Sequence, residues 1–400
     1  MAKAANIAVF HTKMIIGGGE RLLIDMTKAL QAEGNKVTIF VNEHNKNKCF
    51  EETINGTVKV EEIKTIFPES IFGHLSHICQ IIRFLIIILK VLFFNPQKFD
   101  LVIVDEHPFA IPLIRLFRKK VIYYMHYPVK LVGEAQKGPS KLVFIILGFF
   151  EEFSLLFASK VFVNSNFIAE MYRKYFKIAV FMGQKPEVLY PIGEYKGLQG
   201  NLYNGYNDLP VLKDKSFFFS ANRFCPNKNL EIAVEAYAKL SQDKKESCLL
   251  VLAGGLATEE KPMRYFVELT AKIKKLGLTD NVVVLTNIPQ GLLLFLYSKC
   301  LCVLYTPVNE HFGIIPIEAQ SYKCLVLAQN SGGPLETVGK QSGFLLPNDA
   351  SEWTRQMDWV FHNPQVVDKM KAKGPDHVEQ KFSFRVFAKV WEKTVKDLVK

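Results

Sequence analysis

Short apolar runs alternate with longer stretches of helical periodicity from one end of the chain to the other. In the first half the runs are Ile7–Phe10, Val37–Val41, Leu101–Val104, Val121–Tyr124 and Val161–Val163. In the second half they are Phe217–Ser220, Leu249–Ala253, Val282–Leu285, Leu301–Tyr305 and Leu325–Ala328. Runs apolar at nearly every position are strands buried on both faces, as in a parallel sheet covered by helices. The pattern occurs twice, so the chain reads as α/β with two doubly wound, Rossmann-like parallel-sheet domains. Ligands in such sheets sit beyond the carboxyl ends of the strands. Two of them facing each other predict a cleft at their interface, with the chemistry gathered there.

The expected boundaries are 1–192 for the first domain, 193–208 for a connector, 209–382 for the second domain and 383–400 for a terminal helix. The connector is rich in Gly, Asn and Tyr and has no periodicity. In the last segment Phe384, Phe387, Trp391, Val395 and Leu398 recur at three- and four-residue steps, and Ser383 is placed to cap the helix.

Two segments depart from the alternation. Ile78–Phe94 is apolar on nearly every side, with Arg83 and Lys90 on one helical face. It is short for a membrane span and carries two cations. It fits either a helix lying in a bilayer interface or a core helix with basic tips at the surface. Lys141–Ala158 is a weaker version of the same pattern, for which core packing is the expectation.

Composition narrows the class. Four hundred residues exceed one compact core, and 49% hydrophobic with 22% charged residues is globular. The seven cysteines are scattered, with no C-x-x-C pair, which suits a reducing compartment and excludes a disulfide frame. Cys300 and Cys302 read as small core residues on one face of a strand. The first residues lead straight into an apolar strand-like run, so no secretory leader is expected. The formal charge of +11 favours an anionic partner, a membrane surface or a sugar nucleotide. No nucleic-acid-binding signature accompanies it, and no nucleic-acid partner is expected.

Three local patterns carry chemistry. Gly17-Gly18-Gly19-Glu20-Arg21 follows the first strand and opens a helix, where bare backbone and a helix N-terminus suit a phosphate. Arg223 and Lys228 lie on the loop leaving the first strand of the second half, placed to grip a diphosphate as negative charge develops on it. The string Asn309-Glu310-His311-Phe312-Gly313-Ile314-Ile315-Pro316-Ile317-Glu318-Ala319 sets two carboxylates on either side of a glycine turn. Pro316 suits the first turn of a helix, and Glu318 is expected in that same turn. Carboxylates accept hydrogen bonds from hydroxyl-rich ligands. His126 closes the strand Val121–Tyr124 on the side where ligands bind. No Asp-x-Asp pair for a divalent metal occurs, so Arg223 and Lys228 would supply the positive charge.

These motifs resemble those of the retaining glycosyltransferases with two Rossmann-like domains facing across a cleft, the GT-B architecture. Leu304–Ile314, Asn330–Glu336 and Val188–Pro191 resemble more narrowly the α-1,3/1,6-mannosyltransferases of dolichol-linked oligosaccharide assembly, and the similarity runs from Ile7 to about Val399. The resemblance implies GDP-mannose as donor and a mannosyl-chitobiosyl-diphosphodolichol acceptor at the cytosolic face of the endoplasmic reticulum. It further implies transfer with retention, no cofactor and no metal in the chemistry. Residue by residue, Gly17 and Gly18 approach the diphosphate, and Arg223 and Lys228 hold it. Glu318 takes the ribose. Glu310 with the backbone of His311, Phe312, Gly313 and Ile314 holds hexose and phosphate, His126 contacts the sugar, and Gly254 belongs to the same donor-binding set. Val129 departs from the acidic residue that relatives carry after the His-aromatic-Pro triplet. The alternative readings are a retaining transferase using another nucleotide sugar and a non-catalytic sugar-nucleotide-binding protein.

Overall fold

The computed structural model describes residues 4–71, 76–95, 97–117, 119–134, 137–193 and 207–399. The chain divides into two compact units, Met1–Ile192 with Phe384–Lys400, and Gly193–Ser383. Most of the expected connector, 194–206, lies outside the described residues.

The first unit is built on seven strands: β1 (Asn6–Met14), β2 (Lys36–His44), β3 (Lys59–Glu62), β4 (Leu101–Val104), β5 (Lys120–Met125), β6 (Lys160–Val163) and β7 (Pro186–Val188). Their order is β3-β2-β1-β4-β5-β6-β7, with every neighbouring pair parallel. Val9 of β1 lies between Ile39 of β2 and Ile103 of β4. The strand order reverses between β1 and β4, which opens a crevice at their carboxyl ends.

The second unit has six strands: β8 (Ser216–Ala221), β9 (Cys248–Gly254), β10 (Val282–Thr286), β11 (Val303–Tyr305), β12 (Val326–Gln329) and β13 (Gly343–Leu346). Their order is β10-β9-β8-β11-β12-β13, again all parallel, with the reversal between β8 and β11. All ten expected strands are present, and β3, β7 and β13 are additional.

One face of the first sheet packs against Leu22, Leu23 and Met26 of the helix Gly18–Ala32 and against Phe387, Trp391 and Val395 of the helix Phe384–Leu398. The terminal helix therefore completes the first unit, with the Trp391 ring edge-on to Phe162 of β6 at 5.3 Å. Ser383 does not cap it: its Oγ is buried and has no hydrogen-bond partner among the described residues.

On the opposite face, Phe84, Ile87, Ile88 and Val91 of the helix Ser76–Phe94 enter the core. Arg83 pairs with Glu69 at 3.0 Å, and the Lys90 ammonium donates to the Lys64 carbonyl at 2.9 Å. Both expected headgroup-seeking cations are thus engaged within the protein. By length and composition alone this helix could still cross a membrane.

The helix Pro139–Leu155 reverses its expectation. Leu142, Ile145, Ile146, Phe149, Phe150 and Phe153 form an exposed stripe along it, and Phe157 extends the stripe. The buried face consists of Gly148, the acidic pair Glu151 and Glu152, Ser154 and, at the last turn, Leu155, which joins the core. Gly148 faces Lys130 so closely that a methyl there would lie 2.4 Å from Lys130 Cγ.

Cys300 and Cys302 are both buried, but they join clusters on opposite faces of the second sheet. The strand begins at Val303 and Cys300 still terminates a helix, so strand alternation does not relate the two.

Candidate active site

The donor-type residues gather within the second unit. β8 ends at Ala221, and the next residues run across the end of β9. Gly254 makes that crossing possible, since a Cβ there would lie 1.9 Å from the Asn222 carbonyl oxygen. Phe224 anchors the loop in the core, and Pro226–Lys228 form one tight turn. Arg223 is thereby left exposed, while Lys228 is almost fully buried.

Lys228 forms an ion pair with Glu310. Its backbone carbonyl accepts a hydrogen bond from Thr306 Oγ1 at 2.6 Å, tying the β8 loop to the chain leaving β11. Burial works against ionisation of Glu310, but the Lys228 charge and hydrogen bond outweigh it and hold the carboxyl below its usual range.

The Glu310 loop rests on the Asn330–Glu336 segment, backbone against backbone. Gly333 N–H donates to the Glu310 carbonyl at 2.7 Å, and a Cβ on Gly333 would lie 2.1 Å from the Phe312 carbonyl oxygen. Gly332 is in the left-handed region at φ 64°. These contacts leave no room for a side chain at either glycine.

Gly313, at φ 87°, starts the helix Ile314–Ser321. Pro316 occupies the first turn as expected, but Glu318 falls just past it. From there Glu318 Oε2 accepts a hydrogen bond from the buried Tyr297 hydroxyl at 3.3 Å. The free amide groups of this helix start beside Glu310, a setting that favours an anion. Phe312 contributes backbone only, since its ring packs against Phe382 with centroids 5.9 Å apart.

Buried Tyr305 shows how closely these groups converge. Burial raises its phenol pKa well above the usual value, Glu310 and Glu318 raise it further, and Arg223 opposes them. Lys228 is tied to the same loop through Glu310.

The first unit carries Gly17, Gly18 and His126. Gly17 starts the helix Gly18–Ala32, and a Cβ on it would collide with the Glu20 carboxylate at 2.3 Å. Gly18 faces open space. His126 follows β5 directly, and its carbonyl accepts from Asn164 Nδ2 at 3.2 Å.

Beneath it lies a cluster that the motif reading passed over. His11 Nδ1 donates to Asp105 Oδ1 at 2.9 Å, with Glu106 Oε2 at 3.5 Å and Glu20 Oε1 3.7 Å from Nε2. Burial alone would discharge His11, but Asp105 and Glu106 reverse this and raise its pKa well above the usual value. Burial likewise opposes the Asp105 charge, and the two histidines overcome it, bringing the pKa down to about 2. His11, Asp105 and Glu106 offer ligand atoms within 4.8 Å of one another, a spacing that could also hold a metal ion. The carboxylates beside His11 favour its protonated form there. A signal was present in the sequence: Asp105 and Glu106 directly follow the apolar run of β4, at the carboxyl end of a central strand.

Residues 16–190 match glycosyltransferase family 4, and residues 207–377 match the glycosyl transferases group 1. Over 99% of both chains, the protein is 35% identical to the α-1,3/1,6-mannosyltransferase ALG2 of Dictyostelium discoideum. It is 31% identical to that of Rhizomucor pusillus, over 97% of this chain and 90% of the relative.

The chain belongs to the ALG2 family of α-1,3/1,6-mannosyltransferases.

The fold of this mannosyltransferase agrees with that membership. It is similar to the sucrose-phosphate synthase of Thermosynechococcus elongatus with a TM-score of 0.78 at 16% identity, covering 98% of this chain and 99% of the other. Two parallel sheets of seven and six strands are the GT-B pattern expected from the sequence.

Proposed function

We propose that the enzyme transfers mannose from GDP-mannose to a dolichyl-diphosphate-linked mannosyl-chitobiose, adding α-1,3 and α-1,6 mannoses with retention. The observation that carries the reading is the Lys228–Glu310 ion pair, which joins the loop of Arg223 to the loop that leads into the helix of Glu318. Arg223 and Lys228 hold the diphosphate and stabilise the charge it gains as the glycosidic bond breaks. Lys228 is already oriented by Glu310, so little ordering remains when phosphate arrives. Glu318 takes the ribose hydroxyls. Glu310 and the backbone of His311–Ile314 hold hexose and phosphate. Gly17 and Gly18 approach the diphosphate, and His126 contacts the hexose. The two cations replace a divalent metal, and no cofactor takes part.

The acceptor is a lipid, and the exposed stripe Leu142–Phe153 supports attachment to the cytosolic face of the endoplasmic reticulum membrane. Contiguous apolar surface on this scale marks an interaction face. Exposed Lys137 and Lys141 at its start suit anionic headgroups. In this reading the stripe does more of the docking than Ile78–Phe94.

The test is incubation of the full chain with GDP-mannose and the mono-mannosyl lipid acceptor, followed by linkage analysis. Di- and trimannosyl products formed equally well with EDTA present are expected. Turnover with a UDP-sugar and none with GDP-mannose would overturn the donor, and loss of activity in EDTA would overturn the metal-free chemistry.

A further inference from the structure

Asp105 and His126 directly follow β4 and β5, and His11 lies within the second half of β1, three adjacent strands bordering the crevice of the first unit. Asp105 is 1% exposed, and its two oxygens face different histidines. Oδ1 accepts from His11 Nδ1 at 2.9 Å, while Oδ2, buried and with no hydrogen-bond partner among the described residues, lies 3.5 Å from His126 Nε2, in ion-pair range. His126 remains partly open to solvent, whereas His11 is buried.

A neutral imidazole has one N–H and one lone pair, and a neighbouring carboxylate decides which nitrogen keeps the proton. Asp105 can only accept, so it selects the tautomer with hydrogen on Nε2. We propose that Asp105 is a positioning residue for His126, fixing Nε2–H and leaving Nδ1 as the acceptor for a substrate hydroxyl. The proposal rests on the reading above in which His126 meets the sugar.

The rest of the cluster serves this arrangement. His11 fixes the Asp105 carboxylate plane from the buried side and, with its proton, balances a site that also holds Glu20 and Glu106. Glu106 is held by Thr12, whose amide donates to Oε2 at 2.7 Å. Tyr124 and His126 rings lie 5.4 Å apart, and the backbone at Gly19 closes over the His126 edge, where a methyl would lie 3.9 Å from Nε2. Ring, carboxylate and glycine turn therefore hold His126 from three sides. Carboxylates that orient a metal-bound histidine change activity by about 10- to 100-fold when lost, and a loss of the same order is expected here.

The tautomer is read directly by long-range proton–nitrogen NMR of the full chain labelled with ¹⁵N-histidine, at pH 8, with His126→Gln assigning the signals. A single Nε2–H form is expected, shifting toward Nδ1–H in Asp105→Asn. An Nδ1–H form in the unaltered protein overturns the proposal without any variant. In parallel, mannosyl transfer by Asp105→Asn, His126→Ala and the double variant separates positioning from scaffolding. We expect Asp105→Asn to lower kcat about 30-fold and to add little once His126 is gone. Losses that simply multiply would assign Asp105 a structural role and overturn the proposal. Full turnover by His126→Ala, with the tautomer still answering to Asp105, would instead sink the reading of His126 as a sugar contact.

Discussion

Lys228 and Glu310, 82 positions apart in sequence, form an ion pair that joins the loop after β8 to the loop after β11. Each loop leaves one of the two strands that flank the reversal of the second sheet, so the pair spans the place where such folds bind ligands.

Removing the cation should therefore damage both structure and binding. Lys228→Ala leaves a mostly buried carboxylate without its partner, a change that costs about 3 kcal/mol in comparable pairs. A lower Tm and a GDP-mannose KM raised by at least about 10-fold are expected, measured by thermal melts and initial rates. Because the Glu310 pKa is depressed by folding, the pair stabilises the protein above the ordinary glutamate range. That stabilisation is lost as pH falls through the lower folded value.

Gly254→Ala should act on the donor loop from below. The added methyl meets the Asn222 carbonyl at 1.9 Å, so the residues leading to Arg223 must move. Stability should fall by about 1–3 kcal/mol, and the diphosphate should bind more weakly. Calorimetry of GDP binding gives the second quantity, and unchanged affinity would mean that the loop tolerates the shift.

Charge placed in the exposed stripe should release the enzyme from bilayers. Ile145→Glu with Phe149→Glu replaces two exposed apolar groups on the helix Pro139–Leu155. Flotation with anionic liposomes should drop by about 10-fold or more, given roughly 1.5–3 kcal/mol for each large side chain withdrawn from the membrane. Charge reversal of Arg83, already paired with Glu69, should change flotation far less.

Glu151 offers a pH signature on the same helix. Burial is the main influence on its carboxyl and pushes the pKa up to about 8, although the Val129 amide donates to it at 2.9 Å. Folding favours the protonated form, so stability should decline from the ordinary glutamate range up to about pH 8. The slope from this group is at most about 1.4 kcal/mol per pH unit. Glu151→Gln should flatten that slope in denaturant titrations between pH 6 and 9. An unchanged slope would show that another group governs it.

The sheet centres were legible because β1, β4, β8 and β9 are covered on both sides over the apolar runs Ile7–Phe10, Leu101–Val104, Phe217–Phe219 and Leu249–Ala253. The strands that escaped notice, β3, β7 and β13, all lie at sheet edges. Lys59-Val60-Glu61-Glu62 is mostly charged, and Pro186 opens β7, as edge strands allow. The Arg223–Lys228 loop and the Glu310–Glu318 string announced themselves because each is continuous in sequence. The His11–Asp105–His126 cluster did not, since its members come from three strands and only the sheet order brings them together. The exposed face of Pro139–Leu155 was misjudged for a different reason. Apolar content reveals what a helix avoids, but not whether protein or lipid provides the shelter.

The return of Phe384–Leu398 to the first unit has a consequence for how the protein is made. As the chain leaves the ribosome, the first sheet waits with Phe162 and the surface around Leu22 uncovered until the final helix has emerged. The second unit can be complete before then. Premature termination near residue 383 would therefore spare the half just synthesised and cripple the one made first.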